Sequence, residues 1–561
     1  MTNAELFTSI QRLADLADIR GTSPEASAWR RLAALIQQAS NDEPARLRTL
    51  AEQDRFGDIA VLPAGLRRKL QALLLEPPDA LLRSELSTIP WLHRRLLELD
   101  AIDSSRAAVL ARLGVVTAAD LASGLHDGRI GSHITAAAED RLRIALDALS
   151  FERHTIPLGR AVELADGLVT AIAAACPFLH QLLPAGDIRR FEPLVTSIVI
   201  AACADDPVAS IDTISTLPSV RAVLHSTGRR ALLSYQQTEV DVRVAAPDEF
   251  GSVLHLATGS AGHLTAMRAR QAVVRICARE EDVYAQAGLA WIPPELRNGS
   301  GEIEAATKGT LPSLVTREHI RGDLHMHSTY SDGRDTLAEM VQTCAGLGYE
   351  YIAITDHSER AGASRTVSID TLGRQRDEIV RLRARFPEMT ILHGIEVDIM
   401  PDGTLDFPDH VLETLDIVLA SLHDHAGHDP ARLTRRCLAA INHPFVNVIT
   451  HPANRLVGRD PGYELDFPAV YAAAAATGTA LEIDGAPGHL DMDGEHARDA
   501  IAAGATVAID SDCHRARLLD RQMRLGVGTA RRGWVETRHV LNTRPLAEVR
   551  AFLAAKRRLV R

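Results

Sequence analysis

The sequence predicts a multidomain protein: an all-α N-terminal region, an α+β region after it, and a C-terminal α/β region built on a parallel sheet or barrel. Three observations predict this. The 561 residues suffice for three to five folding units at roughly 100–200 residues each. Helical periodicity runs through about the first 150 residues. From about residue 320, apolar strand-like runs alternate with helical ones, the pattern of parallel strands joined by crossover helices.

Each region follows in chain order. In residues 1–150, apolar positions recur at helical spacing in AELFTSIQRLADLADI and ASAWRRLAALIQQA. Two further stretches, 63–78 (PAGLRRKLQALLLEPP) and 96–125 (LLELDAIDSSRAAVLARLGVVTAADLASGL), read as helix–turn–helix pairs. Residues 151–290 form the α+β region, with a helix over 158–176 and strand-like runs at 196–203, 220–226 and 239–246. A connector rich in Pro and Gly covers 291–319. The last region, 320–561, carries strand candidates at 351–357, 390–399, 416–424, 446–452, 479–486 and 506–514, with helices such as 336–348 and 370–386 between them.

Composition excludes several classes. Apolar residues make up 46% and charged residues 24%, which is ordinary for a globular chain and not for a disordered or fibrous one. The formal net charge of −12 argues against indiscriminate nucleic-acid binding, so any DNA contact needs a local basic patch. Six scattered cysteines without a CxxC suggest neither a disulfide framework nor a thiolate zinc site, and a reducing cytoplasm is expected. The first twenty residues lack a basic segment followed by an apolar core, and no run is long enough to span a bilayer.

Histidine is unevenly spread, with 14 of the 23 falling from Arg321 onward. GDLHMHS supplies His325 and His327, whose spacing of two puts both rings on one face of a strand. Asp332 follows in the next loop, and His357 ends the following strand beside Asp356. Glu396 lies in HGIEVD, His423 in ASLHDH, His451 in THP, and Asp512 and His514 in DSDCH. Active residues of parallel α/β folds gather at the carboxyl ends of strands, where most of these lie. Six imidazoles and three carboxylates suit Mn²⁺, Zn²⁺ or Fe²⁺ better than Ca²⁺ or Mg²⁺. Nine ligands exceed one ion's needs, so two or three ions sharing Glu396 are expected, with hydrolysis at phosphorus as the chemistry. Asp356 is either an orienter of this site or a helix N-cap. His393, His410, His425, His428, His443, His489 and His496 lack the regular placement and read as surface or supporting groups.

These blocks resemble the PHP (polymerase and histidinol phosphatase) phosphoesterase family, in the family's order, from about Arg321 to about Arg515. The resemblance implies a distorted (β/α)₇ barrel with three metals. Carried over, His325, His327, Glu396 and Asp512 would hold the first, Glu396, His423 and His451 the second, and Asp332, His357 and His514 the third. The whole chain resembles bacterial family X DNA polymerases of the PolX type, through 292–328, 531–553 and 239–263. That implies a helix–hairpin–helix N-terminal region, a nucleotidyltransferase-like palm and a C-terminal PHP domain.

Departures from that pattern are as informative. Where the palm needs two carboxylates at spacing two, this chain has Ser197 and Val199, and only the third, Asp241, remains. One carboxylate cannot hold two Mg²⁺ ions, so loss of polymerase activity is expected. The second hairpin has Ala101-Ile102-Asp103 where Gly-x-Gly would let a phosphate approach the backbone. The first keeps Gly65, Arg67, Arg68 and Lys69, which either touch a DNA backbone or form a solvated helix face.

The expected function is therefore a metal-dependent phosphoesterase acting on DNA, single-stranded or at 3′ ends, as a 3′–5′ exonuclease or 3′-end processing enzyme of repair. The alternative substrate is a small phosphomonoester, as in histidinol phosphatases, with residues 1–290 a non-catalytic scaffold. Arg455, in HPANRLVGRD, is either a substrate-phosphate ligand or a surface arginine.

Overall fold

The computed structural model describes residues 2–39, 43–53, 55, 63–76, 78–151, 155–270, 275–363, 365–424 and 426–558. The chain divides into two units, Met1–His154 with Glu163–Gly186 and Thr196–Ala287, and Thr155–Val162 with Asp187–Val195 and Gly288–Arg561.

The first unit begins all-helical. Helix Asn3–Ile19 starts on a Thr2–Glu5 capping box and buries Leu6, Ile10, Leu13 and Ala17, one stripe at helical spacing. Trp29 of helix Ser23–Gln38 is fully buried in the same apolar cluster. Short helices Trp91–Glu98, Ser104–Arg112 and Ala118–His126 follow. A five-stranded sheet completes the unit: β1 (Gln181–Ala185), β2 (Ile198–Cys203), β3 (Val220–Thr227), β4 (Arg230–Tyr235) and β5 (Thr238–Ala245), in the order β1-β2-β5-β4-β3. β2 and β5 are parallel, with Val199 directly opposite Asp241.

The second unit carries a seven-stranded parallel sheet in sequential order: β6 (Gly322–Asp323), β7 (Tyr351–Ile354), β8 (Thr390–Asp398), β9 (Ile417–Ser421), β10 (Val448–Ile449), β11 (Ala480–Asp484) and β12 (Val507–Asp510). Alternation along the strands sorts the side chains. Ile395, Val397, Val418, Ala420, Leu481, Ile483, Val507 and Ile509 join one large apolar cluster. The alternate positions Leu392, Leu419, Val448, Ala480 and Ala508 form a second cluster with Val549 and Leu553 of the C-terminal helix Leu546–Arg558. Continuing toward the carboxyl ends, the same alternation presents Glu396, Ser421, Glu482 and Asp510.

The sheet curls into a nearly closed (β/α)₇ barrel whose last seam is sealed by side chains. A bridge links Met326 to Cys513, just beyond β6 and β12. Below it, buried Asn542 donates through Nδ2 to Gly322 O at 2.9 Å and Ile509 O at 2.6 Å, and accepts Ile509 N–H through Oδ1 at 3.0 Å. Asp510 accepts Leu324 N–H and Asp323 accepts Ser511 N–H. No helix among the described residues is long and apolar enough to cross a membrane.

Candidate metal centre

The strands deliver the site by ending together. Glu396, in β8, stands at the middle with no exposed surface. Its Oε1 accepts Ser421 Oγ at 2.5 Å and lies 3.1 Å from His451 Nε2 and 3.4 Å from His423 Nε2. Its Oε2 lies 2.8 Å from His357 Nδ1, 3.5 Å from His325 Nε2 and 3.6 Å from His327 Nε2. Asp512 Oδ1 is 3.0 Å from His327 Nε2, and Asp332 Oδ1 is 3.2 Å from His514 Nε2 and 3.6 Å from His357 Nε2. All nine residues singled out from the sequence thus converge.

Local backbone chemistry makes this possible. Gly333 follows Asp332 in the Ser-Asp-Gly turn, and a Cβ there would stand 2.6 Å from the Ser328 carbonyl carbon. Only glycine lets that turn lie against the His327 backbone. His451 and Asp512 adopt φ +25° and +46°, which costs a side-chain-bearing residue on the order of 1–2 kcal/mol and is tolerated where the surroundings enforce it.

Three groupings have donor atoms close enough to share a cation: His327, Asp332, His357 and His514; His325, His327 and Asp512; and His357, Glu396 and His423. They differ from the sets implied by the family resemblance. His327 also reaches the Asp332 group, and His357 also joins Glu396 and His423. The fit to a cation rests on orphaned atoms. His357 Nδ1 and Glu396 Oε2 are buried and 2.8 Å apart, yet neither makes a hydrogen bond, so their lone pairs are aimed elsewhere. Electrostatics agrees. Burial alone would raise Glu396, but His357, His325 and His423 hold it well below the usual carboxylate range. Burial would lower His423, but Glu396 and Asp398 push it up to about 10. Buried carboxylates held this low demand positive charge beside them, which suits a cation.

Several supporting residues carry no sequence motif. Glu482 Oε1 bonds His325 Nδ1 at 2.6 Å while its Oε2 accepts His451 N–H at 2.8 Å. Asp398 bonds His423 Nδ1 at 2.5 Å. Each leaves the Nε2 of its imidazole facing the centre. Asp398 sits two residues beyond Glu396 on the same strand face, a signal the sequence did offer. Asp356 is an orienter and not a helix cap: it accepts Ser328 N–H, Ser331 N–H, both hydroxyls and Gln375 Nε2. Among the remaining histidines, His393, His443 and His496 contact Gln375, Asp409 and Tyr471, and His489 stacks on His451 at 5.5 Å. His425 lies outside the described residues.

Other expected sites are differently occupied. Arg455 is neither free nor merely a surface arginine: its guanidinium donates to His489 O, Leu490 O and Asp493, fixing the 489–493 segment. Lys69 pairs with Glu25 and Glu85, and Asp103 caps the helix Ser104–Arg112 by accepting Arg106 N–H. Ser197 precedes β2, and Val199 packs in an apolar cluster with Ala201, Cys203 and Phe250. Asp241, only 1% exposed, is gripped by Arg230 at 2.8 Å and Arg243 at 2.7 Å, and Arg230 also holds Asp120 and Gly114 O.

Known proteins resemble this chain at both scales. Residues 323–455 match the PHP domain family. The DNA polymerase/3′-5′ exonuclease PolX of Bacillus subtilis (strain 168) is 32% identical over 99% of this chain and 99% of its own. A probable phosphatase of Syntrophotalea carbinolica is 35% identical over 29% of this chain and 64% of its own. The solved histidinol phosphate phosphatase of Lactococcus lactis, complexed with zinc, L-histidinol and phosphate, aligns at TM-score 0.30 and 20% identity over 37% of this chain and 93% of its own.

Proposed function

The chain belongs to the bacterial PolX family with a C-terminal PHP domain, and from that premise we propose that it hydrolyses phosphodiesters at DNA 3′ ends while its polymerase half has lost catalysis. The observation that carries the hydrolytic reading is the convergence of nine donor side chains, Glu396 at their middle. These nine would hold two or three divalent transition ions, Mn²⁺, Zn²⁺ or Fe²⁺. Such ions, when bound, polarise a phosphoryl oxygen and activate water.

The chain's own residues supply the rest. Glu482 and Asp398 fix the rings of His325 and His423, so their donor atoms need no reorganisation. Glu396 divides its oxygens between the His451–His423 side and the His357–His325 side. Exposure gives the direction of approach. His325, His327 and Glu396 are fully buried, whereas the side chains of Asp332 and His514 are 21% and 34% exposed. His423 is 20% exposed, so the opening is widest at His514, with Asp332 and His423 also reaching solvent, and substrate enters there.

Loss of polymerase activity rests on the environment of Asp241. A carboxylate already neutralised by two guanidinium groups has no free charge for Mg²⁺, and its strand partner is Val199. The second reading, a small phosphomonoester as substrate, is favoured by the engagement of Lys69 with Glu25 and Glu85, which removes a DNA-facing charge. A panel of single-stranded DNA, gapped duplex, abasic duplex and small phosphomonoesters, tested on metal-reconstituted protein with His325→Ala as control, discriminates these. Turnover of 3′-ended DNA is expected. Turnover confined to monoesters would replace the first reading with the second, and primer extension abolished by Asp241→Ala would overturn the loss of polymerase activity.

A further inference from the structure

We infer that Arg334, Arg365 and Arg515 form a phosphate-binding rim on the open side of the centre, reading the backbone phosphate adjacent to the one being cleaved. This rests on the hydrolytic reading above and names its substrate class: a polynucleotide strand, not a monoester.

Three tethers bring these arginines together. Arg334 N–H donates to His514 O at 2.8 Å. Arg515 follows His514 directly in the chain. Arg365 Nη2 donates to Gly333 O at 3.0 Å, beside Asp332. Each is thus one hydrogen bond or one peptide from Gly333 or His514, on the side where Asp332 and His514 meet solvent. All three are exposed, and the guanidinium groups of Arg334 and Arg515 have no hydrogen-bond or ion-pair partner among the described residues. Nearby groups are otherwise engaged. Asp335 accepts Ala516 N–H at 2.7 Å, and Arg360 is drawn toward Asp406. On a chain of net charge −12, two unpaired guanidinium groups on residues that flank Gly333 and His514, beside the tethered one of Arg365, are a local exception.

The chemistry selects the ligand. Guanidinium binds phosphate bidentately, and the reacting phosphoryl group belongs to the buried cluster. The rim is left for a second phosphate, which a strand has and a monoester lacks. Exposed contacts of this kind declare themselves through salt, each contributing about 0.7 to the slope of log affinity on log salt for a single strand.

The test uses the full-length, Mn²⁺-loaded protein. Binding of a 5′-labelled single-stranded oligonucleotide is measured by anisotropy across a salt series, with thymidine 5′-monophosphate as competitor. The double variant Arg334→Ala/Arg515→Ala is expected to weaken oligonucleotide binding roughly tenfold and to reduce the salt slope by about 1.4. Its affinity for the mononucleotide should fall at least fivefold less. Lysine at both positions should restore the slope but only part of the affinity. Arg435→Ala/Arg550→Ala, an equal charge change on the helices Pro430–Asn442 and Leu546–Arg558, is the reference. An unchanged slope, a loss shared equally with the mononucleotide or with Arg435→Ala/Arg550→Ala, or no oligonucleotide binding by the parent protein would each overturn the proposal. Strand binding through the rim without cleavage would instead sink the hydrolytic reading and leave the rim standing.

Discussion

Glu482 Oε1 lies 2.6 Å from His325 Nδ1, although 157 residues separate the two. One buried carboxylate thereby determines which nitrogen of His325 faces the centre, and through its other oxygen it fixes the His451 backbone as well. Glu482→Gln keeps the size and removes the charge. A drop in metal affinity of about 10–100-fold is expected, read by titration calorimetry on the apoprotein. Unchanged affinity would remove Glu482 from the centre's machinery.

Removal of cations by a chelator should abolish hydrolysis and also destabilise the C-terminal unit. An ion at a hundred times its dissociation constant stabilises by about 2.7 kcal/mol per site. Differential scanning calorimetry with and without Mn²⁺ reads this directly, and an identical melting profile would speak against ions in this unit.

Asp241 is buried in the first unit between the guanidinium groups of Arg230 and Arg243. Asp241→Asn leaves Arg230 and Arg243 without their shared partner. Both arginines keep some exposure, so a loss of about 3 kcal/mol is expected, at the lower end for a broken buried pair. Urea denaturation followed at the first unit tests it.

The same pair sets an acid limit. Burial would raise the Asp241 carboxyl, but Arg230 and Arg243 outweigh it and hold the group well below its ordinary value of 3.8. With the folded value depressed, the stabilisation is complete above about pH 4 and is lost as pH falls further, through the folded value. Between pH 5 and pH 2.5 the parent should lose more stability than Asp241→Asn; parallel losses would contradict the assignment.

Asn542 seals the barrel from the C-terminal extension. Asn542→Ala orphans the Ile509 N–H and C=O and the Gly322 C=O, at about 1–3 kcal/mol for each group that water cannot reach. A net loss of about 3 kcal/mol is expected in urea melts, with faster hydrogen exchange at Ile509.

Much of the architecture was legible locally. Apolar runs bounded by turn residues mark β7, β8, β9, β11 and β12, and the polar residues that interrupt each run mark its carboxyl end. The run at 446–452 gives a ladder of only Val448–Ile449, because the chain beyond turns into the centre at His451. In the first unit, β1 and β4 escaped notice. β1, QLLPA, contains Pro184, which an edge strand tolerates but which argues against a strand by local rules.

By itself, the sequence determined that histidines and acids stand at successive strand ends, because period and punctuation are properties of neighbouring residues. It also placed Ser197 and Val199, neither an acid, just upstream of and within the run at 196–203, since residue identities are simply there to be read. Only the tertiary structure decided that Glu482 orients His325, that Arg230 and Arg243 close on Asp241, and that Asn542 seals the barrel. Those partners meet through barrel closure and sheet pairing, and a carboxylate or amide inside an apolar run carries no local mark of what it will face.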